Sequence, residues 1–308
     1  MTHVVLAVNP TAGRGYGRGA GELARDQLSS AGIGVTLLTG ESDTSLRHQI
    51  TDSLSASQSP DALVVVGGDG ATHLAVNALA GTDVPLGIVA AGTGNDIARC
   101  LGLPVRDPGA SADMVTAALL SGQTRQVDTV HCQGSVDRWF LGSLSAGFDA
   151  MVNERANGWR WPRHRIKYDL AILRELPVLR PRQYRLVLDG EVLEVEALLV
   201  AAANNPDYGG GMKICPDAQN DDGLLDVLVA APMSRRAFVR LYPQVYRGRH
   251  VDHPAVTIRR AARVEIACDG IVGYADGERM GPLPLTLDVA PGALHVLAPP
   301  KTSPGPSS

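Results

Sequence analysis

Up to about Arg125, short apolar runs alternate with stretches of helical periodicity. Val4–Val8, Val35–Leu38, Leu63–Val66 and Leu86–Ala90 are compact runs of the kind that fill buried strands. Between them Ala20, Leu23, Ala24, Leu28 and Ala31 recur at the spacing of one helix face, as do Leu46, Ile50 and Leu54. Ala110–Leu120 reads as a further helix, closed by Ser121-Gly122. Strands alternating with helices build βαβ units, so this part predicts an open parallel α/β sheet with helices on both faces.

Beyond Val127 the texture becomes mainly β. Arg138–Leu144, Tyr184–Leu188, Glu191–Ala203, Leu225–Ala230, Val256–Ile258, Val264–Cys268 and Leu285–Val289 are the expected strands. Helices are expected at Arg165–Leu176 and Arg235–Tyr246. Asp189-Gly190, Asp269-Gly270 and Asp276-Gly277 read as hairpin turns, because glycine accepts the positive φ that tight hairpins require. The expected organisation is an α/β domain over residues 1–127 and a β domain over 128–290, with 301–308, rich in Pro and Ser, forming a disordered tail.

The chain has 308 residues, 44% hydrophobic and 19% charged, with a formal net charge of −4. That is enough for two cores and is not the profile of a disordered chain. The longest uninterrupted aliphatic run, Ala197–Ala203, is far short of the ~20 residues a membrane-spanning helix needs. Met1 runs almost directly into the first strand, leaving no room for a signal peptide. Four scattered cysteines, with no C-x-x-C pair, argue against a disulfide framework and a zinc site, and for a reducing cytoplasm. The mild acidity gives no reason to expect a nucleic-acid partner.

Ligands of open α/β sheets settle beyond the carboxyl ends of the strands. Three glycine-bearing turns fall there: Asn9-Pro10-Thr11-Ala12-Gly13, Gly67-Gly68-Asp69-Gly70-Ala71-Thr72 and Ala91-Gly92-Thr93-Gly94-Asn95-Asp96. Glycine lets the backbone approach a ligand, and the helix that follows aims free N–H groups at anions. Each turn has a structural reading too, with Asp69 as a turn residue and Asn95 or Asp96 as a helix cap. Together the three point to a polyphosphate. The P-loop pattern is absent, and the three lysines, Lys167, Lys213 and Lys301, lie away from these turns. Gly15-x-Gly17-x-x-Ala20 matches the dinucleotide fingerprint loosely, but Asn9–Ala12 separate it from the strand, so a nicotinamide-dependent oxidoreductase is the weaker alternative.

Asn9-Pro-x-Ala-Gly13, Gly67-Gly-Asp-Gly70 and Gly92-Thr-Gly-Asn-Asp96 resemble, in order and spacing, the catalytic domain of the diacylglycerol kinase and sphingosine kinase superfamily, most closely its bacterial lipid kinases. Ser145-Ala-Gly-Phe-Asp149, Asn204-Asn205, Gly209–Met212, Pro216–Asp226 and Asp276-Gly-Glu278 follow the same pattern, so the resemblance spans about residues 3–298. NAD kinases and phosphofructokinases share the Gly-Gly-Asp-Gly; the Pro216–Asp226 stretch and the late Asp-Gly-Glu favour lipid kinases.

The resemblance implies a nucleotide-binding α/β domain and a β-sandwich domain, with 291–300 returning to the first and ATP meeting the lipid between them. It implies ATP contacts at Asn9, Pro10, Thr11, Ala12, Gly13, Thr39, Gly67, Gly68, Asp69, Gly70, Ala71, Thr72 and Thr93. Asp69, Asp96 and Asp128 match an acidic cluster that holds the catalytic Mg2+ through water, and Glu278 matches the general base. Gln219 and Leu224, through carbonyls, and Asp222, through its carboxylate, match a structural magnesium site. Two departures stand out: Ala71 replaces the usual threonine, and Ala90 the usual proline. The implied activity is phosphorylation of diacylglycerol to phosphatidic acid. A sphingoid base or phosphatidylglycerol as acceptor, or a non-catalytic nucleotide- or lipid-binding regulator, are the alternatives.

Elementary electrostatics agrees with the magnesium. ATP carries three to four negative charges, and aspartates beside it are tolerable only with a divalent cation between. Asp189-Gly190-Glu191 repeats the tripeptide of Glu278, so local sequence alone does not single out the base. Trp159 and Trp161 stand among Arg155, Arg160, Arg163, Arg165 and Lys167 with the single acid Glu154, which suits either a bilayer headgroup region or an interdomain core. The expected setting is the cytoplasm, peripherally associated with the inner face of the membrane, with a homodimer left open.

Overall fold

The structure is a computed structural model that describes residues 2–40, 42–56, 59–158, 170–172 and 174–300. The chain forms two compact units: residues up to Val127 together with those from Gly292, and Asp128–Pro291. The Trp159–Lys167 segment, residues 165–169 and 173 of the helix expected at Arg165–Leu176, the tail 301–308 and the side chain of Arg14 lie outside the described residues.

In the first unit β1 (His3–Val8), α1 (Ala12–Ser30), β2 (Gly34–Thr39), α2 (Asp43–Leu54), β3 (Ala62–Gly67), α3 (Asp69–Leu79), β4 (Leu86–Ala90), α4 (Asp96–Cys100) and α5 (Pro108–Ser121) follow in order. The strands pair in parallel in the order β2-β1-β3-β4, and Val296 near the chain's end pairs with Leu86. Val4, Leu6, Val64 and Val66 are buried under Ala20, Ala24 and Leu28 of α1 and Ala112 and Val115 of α5. Leu23, expected on the buried face of α1, is 43% exposed. Register aligns the strand ends, with Val8 beside both Thr39 and Val66, and Gly67 beside Ala90. The turns that leave β1, β3 and β4 therefore share one edge. Strand order reverses between β1 and β3, the switch point at which such sheets bind ligands.

The second unit opens with β5 (Arg125–Gln133), which begins just ahead of it, β6 (Asp137–Phe140), β7 (Ser143–Gly147), α6 (Phe148–Gly158), β8 (Arg182–Leu188), β9 (Glu191–Ala197) and β10 (Leu199–Ala203). It continues through β11 (Asp207–Tyr208), β12 (Met212–Lys213), β13 (Leu225–Ala230), α7 (Arg235–Leu241), β14 (Val256–Ala261), β15 (Arg263–Ala267), β16 (Val272–Ala275), β17 (Glu278–Pro282) and the first residues of β18 (Leu285–Val296). β15 pairs with β18 and β8, and β8 with β9, while a second sheet runs β14-β13-β10-β7-β16-β17. Tyr184, Leu186, Val264 and Leu287 from one sheet and Leu144, Val200, Ala202 and Val227 from the other fill a single buried core, which makes this a β-sandwich.

Several sequence expectations change here. The expected strand Glu191–Ala203 is two strands in different sheets, and the chain switches sheets at buried Leu198, whose amide donates to the Ala230 carbonyl. Arg138–Leu144 is likewise broken at Leu141-Gly142. Asp269-Gly270 is not a hairpin, because β15 and β16 belong to different sheets. The helix expected at Arg235–Tyr246 stops at Leu241 and tightens into a 3-10 turn at Tyr242-Pro243, where proline removes a donor.

Candidate functional site

At the switch-point edge the first turn is fastened to its neighbour by the Asn9 amide, which donates to the Val66 carbonyl at 3.1 Å. The Asn9 side chain shapes the turn itself, its Oδ1 accepting from the Thr11 amide at 3.1 Å and hydroxyl at 2.8 Å. Asn9–Gly13 are thus partly open to solvent, with their backbone fixed in place. Gly17, of the dinucleotide-like pattern, sits inside α1 against the Asn9 carbonyl, and any side chain there would overlap it.

The second and third turns touch. A Cβ on Gly68 would lie 3.0 Å from the Gly92 Cα, and one on Gly92 would overlap Gly68, so two strand-to-helix turns close on each other only because both lack side chains. Asn95, in the left-handed conformation at φ 55° and almost fully buried, stitches the third turn from within. Its Oδ1 accepts from the Gly92 amide at 3.0 Å, and its Nδ2 donates to the Gly92 and Val105 carbonyls at 3.0 and 3.2 Å. Its role is therefore internal to the turn. Thr93 and Gly70 are exposed, and the Thr93 hydroxyl has no partner among the described residues. Thr72 departs from expectation: it is 2% exposed and its hydroxyl donates to the Gly68 carbonyl at 3.2 Å, so it braces α3 and is turned from the opening. Ala71 is also buried, its methyl filling the space beside Gly67.

Asp69 and Asp96 meet across Gly94. Asp69 Oδ1 accepts from the Ile97 amide at 3.2 Å, while its Oδ2 and that of Asp96 lie 2.7 and 3.9 Å from where a Cβ on Gly94 would sit. Two carboxylate oxygens facing one small space fit a hydrated magnesium, which keeps its waters and takes few direct ligands. Arg99, which sequence reasoning missed, joins this group by donating to Asp96 Oδ1 at 2.5 Å and to the Gly94 carbonyl at 2.8 Å. Its place three residues after Asp96 in a helix was the available signal. Alongside, an open cavity of about 440 Å³ is lined by Pro10, Arg18, Glu22, Leu37, Thr39 and Gly40.

In the second unit the two Asp-Gly-Glu hairpins can be compared directly. Asp189 and Asp276 are both left-handed, at φ 48° and 52°, followed by glycines at 93° and 82°. Each aspartate locks its hairpin to another segment by accepting from two successive amides. Asp189 takes Ala262 and Arg263, and Asp276 takes Leu141 and Gly142 at 2.9 and 3.0 Å. The glutamates then diverge. Glu191 is held by both terminal nitrogens of Arg259 at 2.9 and 2.5 Å, which pulls its carboxyl below the usual range. Glu278 is half-buried and has no partner among the described residues. Its neighbour Arg279 is drawn to Glu154 of α6 at 3.2 Å, and the same carboxylate accepts from the Tyr274 hydroxyl at 2.6 Å. A rigid hairpin therefore carries an uncommitted carboxylate, which a general base must have.

Asp128 is buried at the start of this unit. Its Oδ2 accepts from the Gly223 amide at 2.7 Å, and its own amide donates to the Asn220 carbonyl at 2.7 Å, tying β5 to the Gln219–Asp226 loop. In that loop Asp222 Oδ1 accepts from the Leu224 amide at 3.1 Å and Oδ2 is bonded to Arg260, whose Nε also lies 3.8 Å from buried Asp226. Asp226 and Arg260 are cross-strand partners in β13 and β14. Burial raises the Asp226 carboxyl above its ordinary range, against the opposing pull of Arg260. The Asp222 carboxylate, which the resemblance joins with the Gln219 and Leu224 carbonyls at a structural magnesium, is bonded in this structure to the Arg260 guanidinium. Among the described residues, no group of three or more His, Cys, Asp or Glu side chains is arranged to hold a metal.

Residues 3–132 match the diacylglycerol kinase catalytic domain, and 142–298 match the YegS C-terminal NAD kinase beta sandwich-like domain. A diacylglycerol kinase of Mycobacterium tuberculosis is 41% identical over 299 residues, covering 96% of this chain and 95% of its own. One from Bacillus subtilis is 28% identical over 228 residues, 73% of each chain. Among solved structures, a diacylglycerol kinase from Bacillus anthracis aligns over 97% of both chains with a TM-score of 0.72 at 21% identity. An NAD kinase from Archaeoglobus fulgidus, in complex with ATP, aligns over 96% of this chain and 93% of its own with a TM-score of 0.54 at 12% identity. These last two likenesses speak to the fold alone.

Proposed function

Since this chain belongs to the diacylglycerol kinase family of lipid kinases, we propose that it transfers the γ-phosphoryl group of ATP to the hydroxyl of diacylglycerol, releasing phosphatidic acid and ADP. The observation that carries this reading is the contact of Gly68 with Gly92, which gathers two glycine turns beside Asp69 and Asp96. The triphosphate lies along Asn9–Gly13, Gly67–Gly70 and Thr93, where the first amides of α1 and α3 donate to its oxygens. The nucleoside occupies the cavity beside Pro10, Leu37 and Thr39. With no P-loop lysine, the positive potential of the chain itself comes from Arg18 and the helix N-termini. Asp69 and Asp96 would hold the hydration shell of magnesium, which when bound would neutralise charge on the β- and γ-phosphates.

Glu278 takes the proton of the acceptor hydroxyl as that oxygen bonds to the γ-phosphorus and the bond to the bridging oxygen of ADP breaks. Most of the acceleration comes from alignment and charge neutralisation, because the transition state is loose. Incubation with γ-labelled ATP, magnesium and diacylglycerol in mixed micelles tests the reading. Label is expected in phosphatidic acid. Label only in a sphingoid base or phosphatidylglycerol replaces the acceptor, and bound ATP with no labelled lipid overturns the enzymatic reading.

A further inference from the structure

Arg235, Arg236 and Arg240 of α7, and Arg247 and Arg249 in the 3-10 turns that follow, are all exposed, and none has an acidic partner among the described residues. Several arginines elsewhere, Arg25, Arg99, Arg155, Arg259 and Arg260 among them, are held by a carboxylate. The difference lies in the sequence: from Val227 to Val251 there is no Asp or Glu, in a chain whose net charge is −4. The segment is therefore a concentrated cationic face on an acidic protein.

Its underside is anchored. Phe238 and Leu241 are buried, and the Phe238 ring meets Phe148 of α6 edge-on at a centroid distance of 5.0 Å. Val152 and Ala156 of α6 belong to the same apolar cluster. Its outer side carries Val239, 49% exposed, and Tyr246, 39% exposed, set among the arginines. Cations interleaved with an aliphatic and an aromatic side chain match the chemistry of a bilayer surface, where basic groups meet lipid phosphates and tyrosine rings sit at headgroup level. A face that bound only a polyanion in water would gain nothing from exposing Val239.

We propose that the Arg235–Arg249 face docks on anionic phospholipid bilayers. The arginines contact headgroup phosphates, and Val239 and Tyr246 enter the interface. The purpose of this docking rests on the lipid-kinase reading above, whose acceptor is dissolved in a membrane.

The test is co-sedimentation with vesicles of phosphatidylcholine alone and of phosphatidylcholine with an equal part of phosphatidylglycerol, at low and high salt. Binding is expected to the anionic vesicles only, weakening as salt rises. Each arginine near such a surface is worth about fivefold in partitioning, so R236Q/R240Q/R247Q should bind about a hundredfold more weakly. The matching lysine variant should keep most of the affinity. Transfer to diacylglycerol in uncharged detergent micelles should be unchanged in the glutamine variant, which also shows that it is folded. Equal binding to neutral vesicles, undiminished binding by the variant, or capture by polyanions such as heparin without vesicle binding would each overturn the docking. Vesicle binding as expected with no transfer in micelles would instead retain the docking and reject the kinase reading.

Discussion

Two glutamates in the same tripeptide give a matched pair of perturbations. Glu278→Gln and Glu191→Gln each remove one negative charge and almost no volume, on hairpins locked by the same aspartate device. Their surroundings set the expected sizes. Glu191 is exposed and bound to Arg259, which is itself exposed, so its loss costs one surface ion pair, and such pairs contribute little. No measurable change in kcat or melting temperature is expected. Glu278 has no ion pair to lose, so its replacement leaves stability unchanged but removes the proton acceptor. General-base catalysis contributes about 10²–10⁴-fold, equivalent to roughly 3–5 kcal/mol of transition-state stabilisation. The assay is label transfer from ATP to diacylglycerol in mixed micelles, with calorimetric ATP binding and thermal unfolding as controls. E278Q should lose kcat while keeping ATP affinity. If E278Q stays within a few-fold of the native rate, or E191Q falls with it, the assignment of the base is refuted.

Three further outcomes follow from the structure. Gly92→Ala forces Gly68 and Gly92 apart, and displacing the phosphate-binding backbone by about 1 Å should lower kcat/KM about a hundredfold, checked by steady-state kinetics with ATP as the varied substrate. Asp149 is pushed up to about 7 by burial; the folded chain then holds a proton that the unfolded chain releases near pH 4, so stability falls between about pH 4 and 7. Asp149→Asn removes that loss, and its melting temperature should exceed the native value at pH 8 by several degrees more than at pH 4. Because Arg260 is the cation at Asp222 and Asp226, EDTA should leave the nucleotide-free melting temperature unchanged, whereas Arg260→Gln should lower it; a native protein that melts earlier in EDTA contradicts this.

The parallel sheet was legible because its information is local. Each of Val4–Val8, Leu63–Val66 and Leu86–Ala90 is an apolar run bounded by glycine or proline turns, and β4 came out with the expected bounds. What escaped depends on distant partners. Nothing near Leu198 marks the passage from one sheet to the other, since Ala197–Ala203 is one aliphatic run and the switch is enforced by the Ala230 carbonyl. β5 was missed because Asp128 and Thr129 are polar yet buried, Asp128 having the Gly223 amide as partner. α6 was missed although Phe148, Val152 and Ala156 stand at helical spacing and are buried together. The site shows the same division. The glycine turns announce themselves, but what separates Glu278 from Glu191 is Arg259, and what occupies Asp222 is Arg260, each remote in sequence from the residue it decides.

The most direct measurement is a crystal structure with a non-hydrolysable ATP analogue and magnesium. The triphosphate should run past Gly68 and Thr93, with the metal's water shell bonded to Asp69 and Asp96 and the nucleoside beside Pro10 and Thr39. A nucleotide seated elsewhere, with the glycine turns empty, would contradict the account.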